Sequence, residues 1–150
     1  MDNERNWRFR LELTEQLGNM MALYTPNDIR EYLAPMATTL VQDRVAAVRV
    51  SATAVLSTML TKLHLLNHPI LASSLASNLV TVLGRSQHWA KRQTYAVLCG
   101  ELIKQDIDEK TEEEANSGYS PAHFSSELLP HLLDLTWDKV IAFETSKRAF

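Results

Sequence analysis

The chain has 150 residues, 45% of them hydrophobic, 22% charged and 7% aromatic, a globular balance that suits one compact unit or a short repeat array. Fifteen lysines and arginines against eighteen aspartates and glutamates leave a net charge of −3, so the strong basic excess of a nucleic-acid binder is missing and no nucleic-acid partner is expected. No apolar run approaches the roughly 18 residues of a membrane helix, the opening MDNERNWRFR has no signal-peptide core, and a single cysteine, Cys99, permits no internal disulfide. The expectation is a protein with no membrane partner, located in the cytoplasm, with the nucleus as a second location.

Strand-like alternation is almost absent, and apolar residues recur at helical spacing instead. Phe9, Leu13, Leu17, Met20 and Met21 predict a first amphipathic helix with these residues on its core face. Val48, Ala52, Val55, Leu56, Met59 and Leu60 predict a second such stripe, and Tyr95, Leu98, Cys99, Leu102 and Ile103 a third. Between the stripes, Pro26, Pro69 and Pro121 each follow a polar residue (Thr25, His68, Ser120) and open a further helical run. Proline suits the first helical position because the missing N–H has no intrahelical partner there, and Thr25 and Ser120 are good N-caps. The fold class is all-α.

The elements repeat. Pro69 stands 43 residues after Pro26 and Pro121 stands 52 after Pro69; Arg92 stands 43 after Arg49, and Glu144 stands 52 after Arg92. Arg10 precedes Arg49 by 39 residues. Two sets of markers with the same intervals define a helix–turn–helix unit of about 40 residues. One array covers 1–150: a partial unit at 1–24, units at 25–66 and 67–105, an acidic segment at 106–119, and a partial unit at 120–150. Trp7-x-x-Arg10, Ala46-x-x-Arg49 and Trp89-x-x-Arg92 align; seven residues on stand Leu17, Leu56 and Cys99, and eleven on stand Met21, Leu60 and Ile103. Pro35 aligns with Pro130, and eight residues after each stand Asp43 and Asp138. Proline inside a helix is costly, so its recurrence at one place predicts a shared kink.

Residues 32–60, YLAPMATTLVQDRVAAVRVSATAVLSTML, resemble a HEAT repeat: a proline-bearing first helix, an aspartate at the turn, and Val-Arg opening the second helix. The block NWRFRLELTEQL at 6–17, with the overall spacing, resembles the HEAT-repeat scaffold and regulatory subunits of type 2A and type 4 serine/threonine protein phosphatases. The resemblance implies an α-α superhelix of antiparallel helix pairs, a solenoid that binds a phosphatase catalytic subunit and helps direct it to substrates. It implies that intra-repeat turns form the docking ridge, which by turn position is Trp7, Arg8, Arg44, Gln87, His88, Trp89, Trp137 and Lys139. It implies structural roles for Pro35, Asp43, Arg49, Arg92 and Asp138, with Arg10, Arg49 and Arg92 pairing with turn aspartates such as Asp43 to fix one repeat on the next. The chain departs from the pattern at Ser86, near the expected turn aspartate, and at Glu144, where an arginine is expected. Neither end reads as the polar cap a solenoid needs, so a piece of a longer scaffold is expected.

Nothing in the sequence assembles a catalytic set. His64 and His68 are four apart, but Asn67-His68-Pro69 reads as a break between units, and no third ligand has suitable spacing. Cys99 occupies the position of Leu17 and Leu56, which marks it as a buried apolar residue. No phosphate-binding loop, HExxH or GxSxG is present; no metal, cofactor or enzyme activity is expected. DIDEKTEEE carries six acids and one lysine and reads as a solvated segment, or as a dock for a basic partner segment. The tryptophans at the turns have two readings, packing between repeats or anchoring a partner beside arginines. A tubulin-binding array of the TOG type uses similar turns, and a general assembly scaffold would use the concave helices, which carry Glu12, Glu15 and Glu101.

Overall fold

A computed structural model describes residues 6–108 and 121–135. Trp137, Asp138, Lys139, Glu144, Ser120 and most of the acidic segment lie outside the described residues. The described residues are helical, and no strand occurs among them: α1 (Trp7–Met20) with a 3₁₀ turn at Met21–Leu23, α2 (Pro26–Asp28), α3 (Ala34–Leu40), α4 (Ala46–Leu65), α5 (Pro69–Leu79), α6 (Trp89–Asp108), α7 (Pro121–His123) and α8 (Leu129–Asp134). π-Helical turns at Ile29–Leu33, Val80–Gly84 and Phe124–Leu128 complete the first helix of each unit.

Local chemistry sets the boundaries. Thr25 Oγ1 accepts the Asp28 N–H at 3.3 Å while the Asp28 carboxylate accepts the Thr25 N–H at 3.3 Å, a reciprocal cap with Pro26 at the first helical position. At the other end of the unit, Asn67 takes φ 60° and stops α4; its N–H reaches the His64 carbonyl at 2.9 Å and the His68 N–H reaches Leu63 at 2.8 Å. This 6→1 and 5→2 pair satisfies carbonyls that a helix end leaves open. The break predicted at 67–69 is therefore a C-cap, and His68 lies beyond the helix that carries His64.

The shared kink takes the form of a shared π turn. Pro35 has no N–H for the carbonyl four residues back, and the Ala34 N–H reaches five residues back to Ile29. The Leu129 N–H reaches Phe124 in the same way ahead of Pro130. The wider turn absorbs the lost bond and bends the helix without breaking it.

The helices stack in two layers. α1, α4 and α6 lie side by side, and the first helices pack behind them: α3 and α5 both against α4, and the Val80–Gly84 turn and α8 against α6. The repeat register appears in the buried faces of the first helices, where Ile29, Leu33, Ala37 and Leu40 are matched 43 residues later by Ala72, Ala76, Val80 and Leu83. Leu56, Met59 and Leu60 of α4 sit fully inside one continuous core. A Cβ built on Gly84 would stand 3.5 Å from the Tyr95 ring, at ordinary van der Waals distance, so that ring packs against its own first helix. The Tyr95 hydroxyl then donates to the Leu128 carbonyl at 2.9 Å, joining α6 to the next unit. Between second helices, the Gln105 amide donates to Ser57 at 2.8 Å and accepts from Thr61 at 3.0 Å.

Three residues depart from the expected stripes. Phe9, Leu13 and Ile103 are exposed, and α1 buries Thr14, Leu17 and Met21 with Trp7 and Leu11 partly covered. Helical periodicity marks the apolar side of α1, but the helix turns Trp7, Leu11 and Thr14 toward α4, and no described element lies over Phe9 and Leu13. At the end of α6, Leu102 takes the core place and Ile103 falls outside it.

Leu56 is 0% exposed at the centre of α4. Leu56→Ala is expected to cost about 2–5 kcal/mol in chemical denaturation with an unchanged m value, the cost of a buried leucine whose site cannot collapse.

Candidate functional site

A chain that reverses between two helices within residues 42–45 leaves carbonyls open behind it and amides open ahead of it. Asp43 Oδ1 accepts the Val45 N–H at 2.8 Å, which closes the turn. Arg49, one turn into α4, reaches back with Nη1 to the carbonyls of Asp43 at 2.9 Å and Arg44 at 2.8 Å. The next unit repeats the device with the same distances: Arg92 Nη1 donates to Ser86 at 2.9 Å and Gln87 at 2.8 Å. Ser86 Oγ accepts the His88 N–H at 3.2 Å, so the serine keeps the turn-closing bond of the aspartate without its charge.

Arg10 makes the carboxylate pair across units that the resemblance implied for Asp43: its Nε and Nη2 meet Asp43 Oδ2 at 2.6 Å and Oδ1 at 3.1 Å. Arg49 and Arg92 grip the carbonyls of their own turns, because six residues along the chain put the guanidinium beside the turn backbone. Lys91 Nζ donates to Gln42 Oε1 at 2.9 Å, a second link between adjacent turns. Burial alone would raise the Asp43 carboxyl; the Arg10 hydrogen bond, the Val45 amide and the charges of Arg10 and Arg49 outweigh it and hold the group below its ordinary 3.8.

The start of α1 and the two turns thus form one continuous edge. Trp7 packs partly into the core and carries the Arg8 guanidinium over its ring at 4.9 Å. Trp89 is 46% exposed, and Arg44, Gln87 and His88 are exposed beside the turns. Pro35 lies on the exposed side of its helix. Ser86 stands at the departure from the pattern noted in the sequence, 43 residues after Asp43; its turn-closing bond and the Lys91–Gln42 link escaped sequence reasoning.

The other candidates are structural. Cys99 is buried, and burial pushes its thiol up to about 12 despite a hydrogen bond with Tyr95, so it holds its proton at neutral pH. His64 packs its ring on His123, which lies beyond the following unit at the start of the partial unit 120–150, centroids 4.5 Å apart. Burial first, and then the neighbouring His123, lower the His64 pKa below 6.5, with Glu127 opposing. Among the described residues, no three His, Cys, Asp or Glu side chains converge as a metal would require, and no described helix is long and apolar enough to cross a membrane.

Fold and edge together define an all-α stack of helix pairs whose charged side chains lock turns in place. Over 139 residues, 93% of its length, the chain is 37% identical to serine/threonine-protein phosphatase 4 regulatory subunit 1 of Rattus norvegicus, with the same identity and coverage for the Homo sapiens and Mus musculus proteins of that name. It spans about 14% of the length of these curated relatives, and so is related to one segment of that regulatory subunit. No family model and no solved structure matches the chain significantly.

Asp43→Ala is expected to lower stability by about 1–3 kcal/mol, the cost of removing a charged hydrogen-bond acceptor from paired donors. Asp43's contribution is present above pH 3.8 and is lost as pH falls through its lower folded value. His64 acts in a higher window: with its folded pKa lowered, the unfolded chain takes the proton first, so stability is full above 6.5 and falls as pH drops. Denaturation midpoints between pH 7 and pH 5 should fall for the parent and flatten for His64→Gln.

Proposed function

We propose that the chain is a non-catalytic regulatory element of a type 4 serine/threonine protein phosphatase, built from HEAT-type helix pairs, that holds the catalytic subunit and helps present substrates to it. The observation that carries this reading is the 37% identity to the phosphatase 4 regulatory subunit along 93% of the chain. The docking surface in this reading is the turn edge: Trp7, Arg8, Arg44, Gln87, His88 and Trp89, with Trp137 and Lys139 following in sequence. Tryptophan and arginine are the side chains that most often dominate an interface. The clamps from Arg49 and Arg92 hold the turn backbone before any partner arrives, which lowers the ordering cost of binding. The chemistry belongs to the partner.

Trp89 and Arg44 are exposed, so altering them tests the edge without disturbing the core. Purified type 4 catalytic subunit should bind the parent chain, and Trp89→Ala/Arg44→Glu, with an unchanged circular dichroism spectrum, should bind at least about tenfold more weakly. Equal binding by parent and variant would move the interface off this edge. Absence of binding by the parent, with co-pelleting on tubulin instead, would replace the phosphatase reading with the tubulin one.

A further inference from the structure

The first helix of the unit at 25–66 and α5 of the following unit are separated by a cleft of about 410 Å³. Its floor is apolar and buried: Ala34 on one wall, Leu75 on the other and Leu63 of α4 beneath. Its rim is polar and exposed, with Arg30 on one wall and Ser74 and Asn78 on the other. Thr38 lines it as well, and its hydroxyl oxygen is buried without a hydrogen-bond partner among the described residues. An apolar floor with a few polar groups at its margin is the usual make-up of a binding cleft, and a buried unpaired hydroxyl gains from any polar atom brought to it. Both walls are consecutive units inside the stack, so adding units at its ends leaves the cleft open.

The next junction between first helices is closed, and the way it is closed identifies what this one lacks. There the Phe124–Leu128 turn packs against α5, and the Ser73 hydroxyl donates to the Glu127 carboxylate. Ser73 stands 43 residues after Arg30, and the residue 52 before Glu127 is Leu75. At one junction, then, a carboxylate crosses from the neighbouring helix to meet a donor. At the other the donor is an arginine, and the position that would supply the carboxylate is a leucine. No acidic residue lines the cleft, and Arg30 forms no ion pair or side-chain hydrogen bond among the described residues. The unmatched positive charge and the open apolar volume therefore lie together, and guanidinium is the side chain best shaped to take a carboxylate.

We infer that this cleft binds an acidic–apolar peptide segment of a partner protein, which supplies the missing carboxylate to Arg30 and fills the floor with a bulky apolar side chain. Thr38, Ser74 and Asn78 meet the polar backbone groups of that segment. Arg30 stands near the start of its first helix and the 42–45 turn follows the far end, so the site is separate from the turn edge and independent of the phosphatase reading.

The probe is a fluorescein-labelled peptide of residues 124–129, FSSELL, the segment that brings Glu127 to the neighbouring junction. Titrated with the full chain, it should raise the anisotropy and shift the amide resonances of Ala34, Leu63 and Leu75. Arg30→Glu, folded because the side chain is exposed, should weaken binding at least about tenfold, and Glu127→Gln in the peptide should do the same. Glu127→Lys in the peptide should restore binding to the Arg30→Glu chain. Arg85→Glu, at an exposed arginine outside the cleft, should leave binding unchanged. Failure of the parent to bind, or equal binding by Arg30→Glu, would overturn the inference. So would a tenfold gain in affinity on Glu112→Gln/Glu113→Gln/Glu114→Gln, since the chain's own acids would then be the occupant.

Discussion

The turn between the helices of a pair must satisfy the end of one helix and the start of the next within four residues, and Asp43 meets both demands at one place. Its side chain closes the turn through Val45, its carbonyl receives Arg49, and its carboxylate receives Arg10 from the neighbouring unit. Pair geometry and unit stacking are therefore coupled through a single residue, so that shifting the turn would also shift α1 against α4. The burial of Leu17 and Leu56 in one core depends on that registration.

The core varies in side-chain size between units, and the turns vary in residue type while keeping their backbone contacts. Ile29 in one unit is Ala72 in the next, Leu33 is Ala76, and Ala37 is Val80, with large and small residues exchanged between equivalent positions while all remain buried. Two positions lose volume and one regains part of it, while the apolar pattern is kept, as in cores where patterning outweighs individual identity. The guanidinium contacts to the turn carbonyls, by contrast, keep the same lengths in both units. Conservation of geometry follows direction: hydrogen bonds have narrow angular limits and apolar contacts do not.

Much of the architecture was legible because proline and arginine are positional residues: Pro26 and Pro69 mark helix starts, Arg49 and Arg92 mark the first turn of a second helix, and a common interval of 43 residues follows. The side of α1 that faces the stack was not legible. Periodicity locates an apolar stripe such as Phe9, Leu13 and Met20 but contains nothing about what lies over it. The reach of Arg49 and Arg92 to the carbonyls of their own turns was not legible either, since a repeated arginine does not say which acceptor its guanidinium meets. The π turns before Pro35 and Pro130 were foreshadowed as kinks, because loss of a backbone donor is written in the sequence while the way the helix absorbs it is not. Within the candidate edge, turn positions for Arg44, Gln87, His88 and Trp89 followed from spacing; the stacking of Arg8 on Trp7 did not.

The replacement of Asp43 by Ser86 at the next turn gives the stack two mechanically different joints. Between α1 and α4 the contact at the edge is an ion pair, whose strength depends on ionic strength and on protonation of the carboxylate. Between α4 and α6 the polar contacts end on neutral acceptors, Gln42, Ser57 and the Gln105 amide, which salt screens far less. Salt and acid would therefore weaken the edge contact of the first joint more than those of the second, while the apolar core shared by α1 and α4 holds the two helices in either condition.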